Sequence, residues 1–157
     1  MSFSVFISHS TKDAYTVYAL KGQLQLCGIN VRIAEENPMP GNLLSQKIVD
    51  SIKASDCVIA ILSSEGTRSK WVDNEVGIAF GTGKHVIPIV EKGVKVEGVL
   101  EGREYITFDS NNPLSAFGMV ISYVHQLKLK KDEADRIAAI GGLVLLCLMF
   151  AALSEKG

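Results

Sequence analysis

Cysteine is scarce in this chain: Cys27, Cys57 and Cys147 are the only three in 157 residues. None falls in a Cys-x-x-Cys pair or beside a histidine at metal-ligand spacing, and each stands in an apolar run. That pattern excludes a disulfide scaffold and a zinc module, and it predicts buried free thiols in a reducing compartment. An excess of basic charge is missing too, since 16 Lys+Arg face 17 Asp+Glu for a net charge of −1. A sequence-independent nucleic-acid binder needs a strongly basic face, so no nucleic-acid partner is expected. Met1, Ser2, Phe3 and Ser4 offer no basic segment leading into a long apolar one, so no secretory leader is expected. No Gly-x-Gly-x-x-Gly follows the first apolar stretch, where His9, Ser10, Thr11, Lys12 and Asp13 stand instead. Gly81-Thr82-Gly83-Lys84 imitates a phosphate loop, but His85 occupies the Ser/Thr position and a strand pattern follows, so it reads as a helix stop and tight turn.

What remains is an apolar, ordered chain. Apolar residues make up 47% and charged ones 21%, which excludes disorder, and the length suits one domain. Strand and helix patterns alternate. Residues 3–8, 29–34, 56–62, 85–90 and 105–108 read as strands, the third a continuous apolar run suited to a covered parallel sheet. Between them, 13–27 carries Val17, Leu20, Leu24 and Cys27 on one face and stops at Gly28. Residues 44–55 align Leu44, Ile48 and Ile52, and 71–81 turns Val72, Val76, Ala79 and Phe80 inward. A last helix is expected from about residue 113 to 129. Right-handed crossovers then demand an open, mostly parallel five-stranded α/β sheet with helices on both faces. Ligands of such sheets lie beyond the carboxyl ends of the strands, which selects residues 8–12, 35–43, 63–71 and 91–103.

The mean hydropathy of +0.22 has a local cause. Residues 137–153 form a run of 17 without a charge, amide or hydroxyl. As a helix it would be ~25 Å long, the short end of a bilayer span. A buried C-terminal helix or an oligomer seam is the other reading, against which stands the small core available to cover a helix apolar all round. Lys128, Lys130, Lys131 and Arg136 precede the run and only Lys156 follows it. The expectation is a domain over 1–130, a charged linker from 131, and a single-pass C-terminal membrane anchor with the domain on the cytoplasmic side.

Two segments carry the site candidates. Glu35, Glu36, Asn37, Pro38, Met39, Pro40 and Gly41 make a stiff connection with paired carboxylates at its root, either a solvated turn or a contact loop. Ser69, Lys70, Trp71, Val72, Asp73, Asn74 and Glu75 open a helix, with Ser69 as N-cap. Trp71 and Glu75 lie one turn apart, on a face displaced from Val72 and Val76, and are expected at the crevice edge. The pair suits stacking on an aromatic ring beside a developing cation; a packing Trp and a dipole-favoured Glu suit it equally. His9 ends the first strand inside the crevice, while His85 and His125 read as structural, and no metal is expected.

In order and spacing, Val5-Phe6-Ile7-Ser8-His9-Ser10, Asp13, the 35–41 segment, 48–55, 58–64, and Ser69-Lys70-Trp71 with Glu75 resemble the Toll/interleukin-1 receptor (TIR) domain family, over residues 3–128. Prokaryotic members are the most similar. The resemblance implies a flavodoxin-like fold and, in many members, NAD+ glycohydrolase or cyclase activity in immune or antiviral signalling. It maps the catalytic glutamate onto Glu75 and its aromatic companion onto Trp71. Ser8, His9 and Lys70 would then bind substrate. The segment with Glu35, Glu36, Pro38, Pro40 and Gly41 would gate the site and join neighbouring protomers. NAD+ is the implied substrate, no cofactor is needed, and self-association is the implied trigger. Basic residues that often follow the first strand in active members are replaced here by His9, Ser10 and Thr11. The resemblance therefore also admits a non-catalytic scaffold that recruits other TIR domains, and a nucleoside deoxyribosyltransferase-like enzyme.

Overall fold

Strand β1 (Ser4–Ser8) is buried along its whole length, and its amino end is tied to the strand that will lie beside it. The Ser4 N–H donates to Asp56 Oδ2 at 2.7 Å, and the Asp56 N–H donates to the Ser4 carbonyl at 2.8 Å. A single 3-10 turn, Thr11–Asp13, leads into α1 (Ala14–Leu26). That helix ends at Gly28, whose φ of +73° is the left-handed conformation a helix stop requires. There follow β2 (Asn30–Ile33), α2 (Leu44–Lys53), β3 (Cys57–Leu62), α3 (Lys70–Gly81), β4 (His85–Glu91), β5 (Ile106–Phe108) and α4 (Leu114–Ser154). This computed structural model describes residues 3–33, 44–64 and 70–154, without the side chains of 44, 45, 70, 71 and 150–154.

The five strands pair in parallel in the order β2-β1-β3-β4-β5, the flavodoxin-like topology that the alternation predicts. Phe6 packs with Ile48 and Ile52 of α2, Val58, and Ala79 of α3. Ala60 packs with Val72, Val76 and Leu100. One face of the sheet, carrying Phe6, Val58 and Ala60, is thus covered by α2 and α3. Right-handed crossovers put α1 on the opposite face, where Val5, Ile7, Cys57 and Ile59 are fully buried. The false phosphate loop is an ordinary turn: Gly83 adopts φ +70°, and the Lys84 N–H donates to the Ala79 carbonyl at 2.8 Å.

The chain divides into two units, Met1–Ile121 and Ser122–Gly157. In the first, Ala116, Phe117 and Val120 are buried. In the second, helix continues without a break through residues 131–136, and Lys128 pairs with Asp132 one turn on at 3.0 Å. Two expectations are corrected here. Among the described residues no helix is long and apolar enough to cross a membrane, which overturns the single-pass anchor over 137–153 and the membrane localisation drawn from it. Cysteine is the second correction. Only Cys57 is buried, whereas Cys27 caps the carboxyl end of α1 in solvent and Cys147 is exposed.

Candidate active site at the β1–β3 switch point

The strand order reverses between β1 and β3, because the connection after β1 runs to one side and that before β3 returns on the other. The carboxyl ends of these strands therefore border an open crevice. Ser8 closes β1 there. It is fully buried, and among the described residues its Oγ has no hydrogen-bond partner. Ser8 is in register with Ala60, so both side chains belong to the face covered by α2 and α3.

Glu75 lies on that same face. It stands three residues after Val72 and four before Ala79, which are buried, and is itself 2% exposed. The crevice-edge position expected for it is too shallow: the inward stripe of α3 is wide enough to include Glu75 beside Val76. A carboxylate at that depth is costly to ionise without polar company, and so it is expensive as mere packing. Trp71 and Lys70 occupy the first turn of α3, and their side chains lie outside the described ones. Glu35, Glu36, Pro38, Pro40 and Gly41 also lie outside the described residues.

His9 is one residue beyond Ser8, and alternation sends it to the other face. It is 5% exposed, with Nδ1 3.4 Å from the Ile7 carbonyl. It lies near Asp13, around which Ser63 and Glu91 also gather, and none of these three was singled out as a site residue from the sequence. Asp13 precedes α1 but makes no side-chain cap to it. Its carboxylate instead accepts from the Ser63 hydroxyl and the Ser10 backbone N–H, while Oδ2 is buried without a partner among the described residues. Burial pushes the Asp13 carboxyl up, and the Ser63 and Ser10 donors and the charge of His9 pull it part of the way back. At the end of β4, Glu91 Oε2 accepts the Ser64 N–H at 2.6 Å, which holds this carboxyl below its usual range. The strand-end rule selected the segments that hold Ser63 and Glu91 but stopped at Lys12, one residue short of Asp13, and nothing in the sequence joined the three.

A separate groove of about 590 Å³ opens beside the exit of β3, lined by Leu62, Ser64, Asp73, Val94 and the exposed pair Lys95–Glu97. Among the described residues, no group of three His, Cys, Asp or Glu side chains could hold a metal ion.

Residues 5–138 match the sequence profile of the TIR domain (TIR_2). Among solved structures, the chain is similar to the TIR domain of the Toll-related receptor TRR-2 from Hydra magnipapillata. The TM-score is 0.63 at 20% identity, over 77% of this chain and 97% of that one. It is also similar to the CMP N-glycosidase BcmB of Clostridium botulinum, with TM-score 0.55 and 20% identity over 80% and 98% of the two chains. A metazoan TIR-STING receptor from C. gigas gives 0.58 and 22%, over 73% of this chain and 38% of that one. At these identities the likeness is one of fold. No curated protein matches the sequence.

Proposed function

Because the chain belongs to the TIR domain family, we propose that it cleaves the nicotinamide–ribose bond of NAD+, releasing nicotinamide and ADP-ribose or a cyclic isomer, and does so on self-association. The observation that carries this reading is Glu75, a carboxylate 2% exposed on the sheet face where Ser8 also lies.

The chemistry asks little of the protein. The bond from ribose C1′ to the ring nitrogen breaks with its electron pair on nicotinamide, which turns from a cation into a neutral leaving group. No general acid is needed. Water then adds to C1′ and loses a proton, or an atom of the adenine does so in cyclisation. The barrier is the oxocarbenium-like ribose, which one buried carboxylate can stabilise electrostatically while it orients the ribose hydroxyls. Glu75 takes this role. The Ser8 Oγ, without a described protein partner, is placed to bond a substrate hydroxyl. To Trp71 we assign stacking on nicotinamide, to Lys70 a contact with the diphosphate, and to the segment from Glu35 to Gly41 closure of the site and contact with the next protomer. His9 belongs to the opposite face and acts on the site from behind it.

A scaffold without catalysis is the second reading, favoured by His9, Ser10 and Thr11 where a diphosphate would call for basic residues. Chromatography of NAD+ incubated with concentrated full-length protein decides between them, with Glu75→Gln alongside and CMP as a second substrate. Nicotinamide release abolished in the variant supports the enzyme. No release under assembly-promoting conditions supports the scaffold, and release of cytosine alone moves the substrate to a nucleoside monophosphate.

A further inference from the structure

Strand β3 ends in two serines, and each is held by a carboxylate from a different element. The Ser63 hydroxyl donates to Asp13, at the entry to α1. The Ser64 N–H donates to Glu91 at 2.6 Å, and the hydroxyls of Ser64 and Ser110 donate to it as well. Asp13 does not cap its helix, and among the described residues neither it nor Glu91 forms an ion pair with Lys or Arg. Both are spent on the two residues from which the chain leaves the sheet, and α3, which carries Glu75, begins at Lys70.

Resting on the NAD+ reading above, we propose that Asp13 and Glu91 are positioning residues: they clamp Ser63 and Ser64 from the far side of the sheet and thereby fix the seat of Glu75. The face of α3 toward the sheet is otherwise apolar, through Val72, Val76 and Ala79, and apolar contacts resist sliding poorly because they have no direction. Hydrogen bonds to charged carboxylates are short, directional and about twice as strong as neutral ones. The two clamps also differ in kind. Asp13 faces His9 from the end of β1 and Glu91 from β4, and burial raises its carboxyl. Glu91 faces Asp13 and Asp109, the latter paired with Lys92 at 3.3 Å, and its donors lower its carboxyl. Protonation of Asp13 removes the charge that holds the Ser63 hydroxyl, and its carboxyl, raised by burial, takes up a proton above the ordinary aspartate value of 3.8.

Trp71 is the sole tryptophan of the chain and sits in the first turn of α3, so its emission reports on the start of that helix without any turnover. The experiment follows Trp71 emission and the kcat and KM for NAD+ against pH, in the full-length protein and in Asp13→Asn, Glu91→Ala and Glu91→Gln. In the unsubstituted protein, emission and kcat should titrate together above the ordinary aspartate value of 3.8, and Asp13→Asn should abolish that step. Glu91→Ala should lower kcat about tenfold with KM little changed, since a misplacement near 1 Å can cost on the order of 100-fold. Glu91→Gln, whose amide oxygen still accepts the Ser64 N–H, should recover most of the loss. Emission and kcat that ignore both Asp13→Asn and Glu91→Ala overturn the proposal. Should a variant not fold, the titration of the unsubstituted protein decides alone, and a flat emission profile above 3.8 overturns it. Absence of nicotinamide release in every protein refutes the NAD+ reading instead, while the emission titration still judges the clamps.

Discussion

Two buried acids stand at the carboxyl end of one sheet, on opposite faces, and the sheet between them gives them different neighbours. Glu75 lies 2% exposed in the stripe of α3, on the face that Ser8 shares. Asp13 lies 8% exposed on the α1 face, with His9, Ser63 and Glu91 around it. The partition follows from the strand repeat of two, which turns Ser8 and His9 apart although they are adjacent in sequence. Residues adjacent along the chain are therefore divided between the two faces of the sheet, and the roles proposed for them divide in the same way.

The largest expected effect breaks the α3 side alone. Glu75→Gln keeps the shape and removes the charge, so nicotinamide release should fall on the order of 1000-fold, as loss of a preorganised electrostatic group does. Thermal stability should change much less than activity, because the amide keeps the shape of the carboxylate and can still accept a hydrogen bond. A variant that melts early yet keeps its activity would show Glu75 to be packing. Thiol labelling sharpens the other side. Cys57 begins β3 on the α1 face, and burial pushes its thiol up to about 12 from 9.0. In a native protein Cys57 should react with an alkylating reagent roughly 1000-fold more slowly than the exposed Cys27, since reactivity follows the thiolate. Equal labelling would mean that the α1 face is open from its amino end and not only where Ser63 closes the strand.

The fold was legible because its cause is local: apolar runs of strand length between helices with apolar residues one turn apart, as in Ile48 and Ile52. Glu75 stood out in the sequence by its place one turn after Trp71. Its depth was not legible, because the 3.6-residue repeat lets Val72, Glu75, Val76 and Ala79 share one broad face, and only neighbouring elements decide how much of that face is covered. The same limit explains Cys27. Hydropathy records what a residue avoids but not whether a neighbour arrives to cover it. Leu26 is 88% exposed beside a fully buried Leu24 in the same helix. Nothing in the sequence joined Asp13, Ser63 and Glu91 to one another: Asp13 stands 50 positions before Ser63 and Glu91 27 positions after Ser64, and only the pairing of the strands brings them together.

Next in size is the contrast between Ser8 and His9. If the sheet divides their roles, Ser8→Ala should lower kcat/KM for NAD+ by about tenfold, the value of one hydrogen bond near 1.4 kcal/mol to a substrate hydroxyl. His9→Ala should leave KM within about twofold, its effect confined to kcat through the bracing residues. A rise in KM for His9→Ala matching that of Ser8→Ala would place both on one side and dissolve the distinction.

The smallest effect is on stability, and it has opposite signs at the two bracing acids. Asp13 has its carboxyl raised above 3.8 in the folded chain, so between 3.8 and the raised value the folded state holds more protons than the unfolded one. Its contribution to stability is fully present below 3.8 and falls as pH climbs through that window. Glu91 has its carboxyl lowered below 4.5, so the unfolded state holds more protons, and its contribution is present above 4.5 and lost as pH drops through the folded value. Urea midpoints measured across this range should therefore lose their decline with rising pH in Asp13→Asn, and lose their decline with falling pH in Glu91→Gln. Midpoints that keep the same pH dependence in both variants would show that neither acid feels the fold around it, and the brace would then consist of the serines alone.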